Sequence, residues 1–185
     1  MADRELGTAF YLPPSDAEPR AWAAEQLGRL GARVWIDPYG DQFAEWGGLA
    51  CWVRVLDEPP YRILTLTYSQ VEFATLLHQN SPDLAQDGAL RVAQAFRDAC
   101  EALRPTAAFV LSQATEDVAD LFTEYADEVR TSNVWGLSQA GFGLVYLREP
   151  GGDLDPIATF HPRDELPVTE GRLFFAGRGA NRWWG

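Results

Sequence analysis

Residues Ser132–Arg148, SNVWGLSQAGFGLVYLR, decide how this chain is read. Val134, Trp135 and Leu137 make one apolar arm; Phe142, Leu144, Val145, Tyr146 and Leu147 make the other. Ser138-Gln139-Ala140-Gly141 between them has the composition of a turn, so the stretch predicts a β-hairpin. The second arm is apolar at consecutive positions. An edge strand wetted on one side alternates polar and apolar residues, so this arm belongs in a sheet interior with side chains packed above and below.

Upstream of the hairpin, Gly7 to Leu12 reads as a first strand closed by Pro13-Pro14. Ser15 and Glu18 have capping-box spacing, Pro19 falls in a first helical turn, and Ala23, Leu27 and Leu30 recur at i, i+4 and i+7, which predicts a helix stopped by Gly31. Arg33 to Asp37 is a second strand, and Phe43 to Gly48 reads as loop. Leu49 to Leu56 alternates, with Leu49, Cys51, Val53 and Val55 on one face. Asp57-Glu58-Pro59-Pro60 has hairpin length, and Tyr61 to Tyr68 is the returning strand. Ser69 with Glu72 opens a helix through His78. Ser81 and Pro82 then start the longest helix, whose Leu90, Ala93, Phe96, Cys100 and Leu103 form one stripe before Arg104-Pro105 stops it. Thr106 to Leu111 is a strand, and Thr115 caps a helix with Val118, Leu121, Phe122 and Tyr125 at i, i+3, i+4 and i+7. Beyond the hairpin, Ile157 to Phe160 and Arg172 to Ala176 suit short strands, and 171–185 suits an irregular C-terminal tail. Hairpin-joined strands outnumber helical crossovers. The chain therefore reads as a single α+β domain over 1–185, a mainly antiparallel sheet with about four helices packed on one face.

A chain of 185 residues that is 46% hydrophobic suffices for one core. Its 15 basic residues against 27 acidic ones give a net charge of -12, which disfavours nucleic acid and anionic membranes as partners and favours basic proteins. Every basic residue is arginine. Without lysine there is no phosphate-loop lysine, no Schiff base and no lysine general base. Cys51 and Cys100 lie far apart and suit buried thiols of a reduced protein, and MADRELGTAF carries acids and no long apolar run, so a cytoplasmic location is expected.

The supply of catalytic groups is thin. His78 and His161 are the only histidines, and neither has metal-site spacing. His161 with Asp164 and Glu165 clusters a histidine with two carboxylates, the basis of an alternative reading as a hydrolase working with scattered carboxylates. The glycine pairs Gly141/Gly143 and Gly177/Gly179 lack a dinucleotide fingerprint. No catalytic residues, no metal and no cofactor are expected.

Two features point to binding. The helix from Thr115 carries Glu116, Asp117, Asp120, Glu124, Asp127 and Glu128 before its first base, Arg130. Glu116, Asp120 and Glu124 stack at i, i+4 and i+8, and each such like-charge pair costs a helix roughly 0.2–0.5 kcal/mol, so the stripe opposes local stability and suits a partner. The run Arg172 to Trp184 combines Arg172, Arg178 and Arg182 with Phe174, Phe175, Trp183 and Trp184 and contains no acid. The expectation is a non-catalytic acidic binding protein that captures a basic protein through Glu116, Asp120, Glu124 and Asp127, with Trp46 and Trp135 as aromatic anchors. In composition the chain is similar in character to the immunity proteins that neutralise bacterial toxins. A structural component of a larger assembly is the other alternative, and the sequence leaves the oligomeric state open.

Overall fold

The structure is a computed structural model that describes residues 5–69, 82–111, 118–131, 142–149 and 165–175. Nine strands form one sheet: β1 (Glu5–Leu12), β2 (Arg33–Ile36), β3 (Gln42–Trp46), β4 (Leu49–Glu58), β5 (Tyr61–Ser69), β6 (Ala107–Leu111), β7 (Phe142–Leu147), β8 (Glu165–Leu166) and β9 (Arg172–Phe175). Their spatial order is β2-β3-β4-β5-β1-β6-β7-β9-β8. Every neighbouring pair is antiparallel, so the α+β reading holds. Among the described residues there are three helices of seven residues or more, α1 (Pro19–Arg29), α2 (Pro82–Leu103) and α3 (Val118–Glu124), plus the five-residue α4 (Ala126–Arg130). That is fewer than the four full helices expected, and the helix expected at 69–78 lies outside the described residues. None of these helices is long and apolar enough to cross a membrane.

The helices occupy both faces of the sheet, which corrects the one-face expectation. Opposed residues of an antiparallel pair share a face, so Phe10, Leu64, Val55, Ala108 and Tyr146 lie together in one row. Phe10 meets Phe96 of α2 at 5.8 Å between ring centroids. α1 lies on the same face, where the Arg62 guanidinium sits 5.5 Å from the Trp22 ring. Gly7 has the opposite parity to Phe10, and a Cβ on it would come within 2.3 Å of Val118 Cγ1, so α3 packs on the other face directly over this glycine. The local capping also differs from expectation. Glu18, not Ser15, caps α1: its Oε2 accepts from the Ala21 amide at 2.8 Å, while Ser15 Oγ accepts from Ala17. Gly31, at φ +67, ends the helix as expected.

Of the stretch 132–148, only 142–148 falls among the described residues. β7 is interior, with Leu144, Val145 and Tyr146 buried from both sides. Over Leu144–Leu147, however, its two edges pair with β6 and β9. A strand has only two hydrogen-bonding edges, and both are taken over Leu144–Leu147; the arm at 134–137, and with it the expected hairpin, lies outside the described residues. The assignments at both ends of the sheet need correction as well. Phe43 to Trp46 is strand, joined to β4 by Gly47-Gly48 at φ +61 and +83, the glycine-rich connection that a tight hairpin turn requires. Residues 172–175 form β9, held between β7 and β8, which bears out the short strand expected at 172–176 and corrects the irregular tail expected over 171–185 for these four residues; 176–185 and the strand expected at 157–160 lie outside the described residues.

Candidate functional site

The acidic helix exists in part. Val118, Phe122, Ala126 and Val129 face the sheet and are buried, while Asp120, Glu124 and Asp127, spaced i, i+4 and i+7, are exposed. The chain pauses at Tyr125 without turning. Tyr125 donates to Leu121 O at 3.3 Å and Val129 to Tyr125 O at 3.1 Å, so α3 and α4 continue in line. Asp127 accepts from Arg130 at 2.9 Å across one turn. Glu116 lies outside the described residues, so three of the four expected carboxylates can be placed.

Beneath this helix is a group of tyrosines. Tyr11 donates to the Phe122 carbonyl at 2.5 Å and meets Tyr61 and Phe109 edge-on at 5.7 and 5.5 Å. Burial, then the neighbouring Glu128 carboxylate, pushes the Tyr11 hydroxyl far above its ordinary pKa. Glu128 is half-buried, and its Oε2 has no hydrogen-bond partner among the described residues. The bond from Tyr11 to the Phe122 carbonyl fastens the helix to the sheet, and the Glu128 carboxylate adds to the local negative field; a phenol pushed this far up stays protonated at neutral pH.

Of the two expected anchors, Trp46 is corrected. It is 7% exposed and packs edge-on against Phe10 at 6.2 Å, so it belongs to the core. Its place in β3, on the same face as Ala44, puts it under α2 instead of in solvent. Trp135 lies outside the described residues. So do His78, His161 and Asp164, and of that cluster only the backbone of Glu165, which opens β8, is described. Cys51 and Cys100 are buried, and burial, then Glu101, pushes the Cys100 thiol well up. Among the described residues no group of three or more histidine, cysteine or carboxylate side chains is arranged to hold a metal ion.

A second surface was not anticipated. Trp35 opposes Phe43, Phe43 opposes Trp52, Trp52 opposes Thr67 and Thr67 opposes Gly7, so these five residues form one row across the sheet on the face that carries α3. The helix covers the Gly7 end. At the other end, three aromatic rings stay at least partly exposed, Trp35 to 37%. Trp35 and Phe43 stack at 5.8 Å and 15°. The Arg54 guanidinium lies 3.5 Å from the centroid of Trp52. Stacked rings with a π-bound arginine make a rigid recognition platform, able to pack against flat groups and to attract cations over an open ring face. The signal was legible in β4, where Trp52 and Arg54 stand opposite the Cys51 and Val53 face; its partner Phe43 was hidden by reading 43–48 as loop.

No protein-family model matches this chain, and no curated protein or solved structure shows a match.

Proposed function

We propose that this protein is a non-catalytic binding protein that captures a basic protein partner, with the aromatic row Trp35, Phe43 and Trp52 as its anchor and the acidic surface as its steering field. The row carries the reading. Tryptophan and arginine are the residue types that dominate interface energetics, and here Arg54 already lies flat on Trp52 with both partly exposed. The net charge of -12, with Asp120, Glu124 and Asp127 exposed on α3 and α4, raises the local concentration of a cationic partner and speeds encounter. Open ring faces then favour arginine and lysine side chains over acidic ones. A toxin-neutralising immunity protein is the special case in which the basic partner is a nuclease.

The test is co-purification from the native host at low salt, followed by kinetics on the captured protein. Trp52→Ala is expected to speed dissociation. The triple change Asp120→Asn, Glu124→Gln and Asp127→Asn is expected to slow association and flatten its salt dependence, with melting temperature as the control for folding. Recovery of no basic protein at low salt, or capture that neither set of changes weakens, overturns the reading.

A further inference from the structure

We propose that the outer edge of β2 is a homodimer interface, at which two copies of this chain pair Arg33–Asp37 antiparallel about a two-fold axis through Trp35. The starting observation is where the apolar surface lies. Among the described residues the exposed large hydrophobic side chains are Trp35 at 37%, Ile36 at 59% and Tyr39 at 92%, and all three stand on β2 or its turn. β2 is also the end of the sheet. The opposite end is blunted: β8 has two residues and runs into Pro167. Among the described residues nothing pairs with the outer edge of β2, and an unpaired edge is a template for another strand.

The backbone is set for a defined register. Asp37 donates its amide to Asp41 O across the turn at 2.9 Å, so its hydrogen-bonding groups face β3. Alternation along the strand then aims those of Trp35 and Arg33 at β3 and turns those of Val34 and Ile36 outward. A second β2 centred on Trp35 places Val34 opposite Ile36 of the other copy as a hydrogen-bonded pair, twice. Trp35 meets its own counterpart as the closer, non-hydrogen-bonded pair.

The side chains select the same register. RVWID reads as its own antiparallel complement: with Trp35 opposite itself, Arg33 of each copy stands opposite Asp37 of the other. Two ion pairs then flank the central tryptophans, while Val34 meets Ile36 on the opposite face. Shifting by one residue in each copy sets Val34 or Ile36 opposite itself and loses both ion pairs. The symmetric register also joins the two aromatic rows, so that Trp52, Phe43 and Trp35 continue through the axis into their counterparts as one six-ring platform. Four residues of edge strand bury little area, so the dimer is a weak one whose population depends on protein concentration. This assembly stands independently of the basic partner proposed above.

The experiment combines sedimentation with disulfide trapping on the full chain. The native protein is expected to show a monomer–dimer equilibrium. Arg33→Glu, at an exposed position, sets acid against Asp37 on both sides of the axis and weakens the dimer at least about tenfold without lowering the melting temperature. Trp35→Cys places two thiols across the non-hydrogen-bonded pair, within disulfide reach, and is trapped as a covalent dimer on mild oxidation. Ile36→Cys, facing position 34 of the other copy, is not. The native cysteines are buried and serve as an internal control. A native chain that stays monomeric at several hundred micromolar overturns the proposal; so does a dimer indifferent to Arg33→Glu, or equal trapping at positions 35 and 36.

Discussion

Arg62 lies buried near the start of β5, on the face that carries α1. Its Nε and Nη2 donate to the two carboxylate oxygens of Asp57 at 2.5 and 3.0 Å, and its Nη1 donates to Ala17 O at 2.6 Å. The pair ties the β4–β5 hairpin to the chain entering α1. Asp57 itself is exposed, so water screens much of the ion pair, and the hydrogen bond from Arg62 holds its carboxyl below the usual carboxylate range. Asp57→Asn is expected to cost about 1–2 kcal/mol, because a buried guanidinium keeps its desolvation and loses its charged acceptor. The sign of the pH effect follows. A lowered folded pKa contributes stability that is present above about pH 4 and is lost as pH falls through the depressed value. Urea melts across the acid range are expected to fall more gently for Asp57→Asn than for the native chain. Equal acid sensitivity would remove Asp57 from the acid response.

At the scale of elements, β7 is the strand whose surroundings matter most. Leu144 is fully buried on the face shared with Val110, and both backbone edges of β7 are paired. Leu144→Ala removes most of a packed side chain from a site that cannot collapse freely, so a loss of about 2–5 kcal/mol is expected in denaturant melts. A cost below about 0.5 kcal/mol, the range of surface changes, would contradict this placement of the strand. The packing of α3 depends on β1 in the same way. Gly7 lets the helix approach the sheet until Val118 occupies the space of a missing Cβ, which is how a seven-residue helix is seated closely enough to present Asp120 and Glu124 outward. β2 carries the opposite character: among the described residues one edge is paired and one open, and Trp35, stacked on Phe43, stays partly exposed.

For the whole molecule, the tyrosine-rich interior sets the response to alkali. Burial pushes the hydroxyls of Tyr11 and Tyr68 far up and takes Tyr146 to about 12; Tyr61 and Tyr125 are raised for the same first cause. Unfolded tyrosine ionises near about pH 10. Raised folded values contribute stability that is whole below that pH and is lost as pH rises toward the folded values, since the unfolded chain releases its protons first. Melting temperatures are expected to hold to about pH 9 and drop steeply above about pH 10, with tyrosinate absorbance appearing in step with unfolding. Tyrosinate absorbance from more than the one exposed tyrosine, Tyr39, growing well before the structure melts would show that these phenols are not held by the core.

What the sequence by itself determined is what local periodicity encodes. The alternation of Leu49, Cys51 and Val53, the stripe of Ala93, Phe96 and Cys100, and the unbroken apolar run of Leu144 to Leu147 each state which side of an element is buried, because a side chain's direction repeats every two or 3.6 residues. The class of fold and the burial of both cysteines followed from that. Pairing lies beyond the reach of periodicity. Tertiary structure gave β7 the neighbours β6 and β9, set α3 against the opposite face from α1 and α2, and buried Trp46 while leaving Trp35 in water. These two tryptophans sit in similar short apolar runs, RVWID and FAEWG. The difference is made at long range: β3 turns Trp46 toward Phe10 of β1, whereas Trp35 lies on the other face of the sheet at its end strand, with no helix above it and no strand beyond it among the described residues.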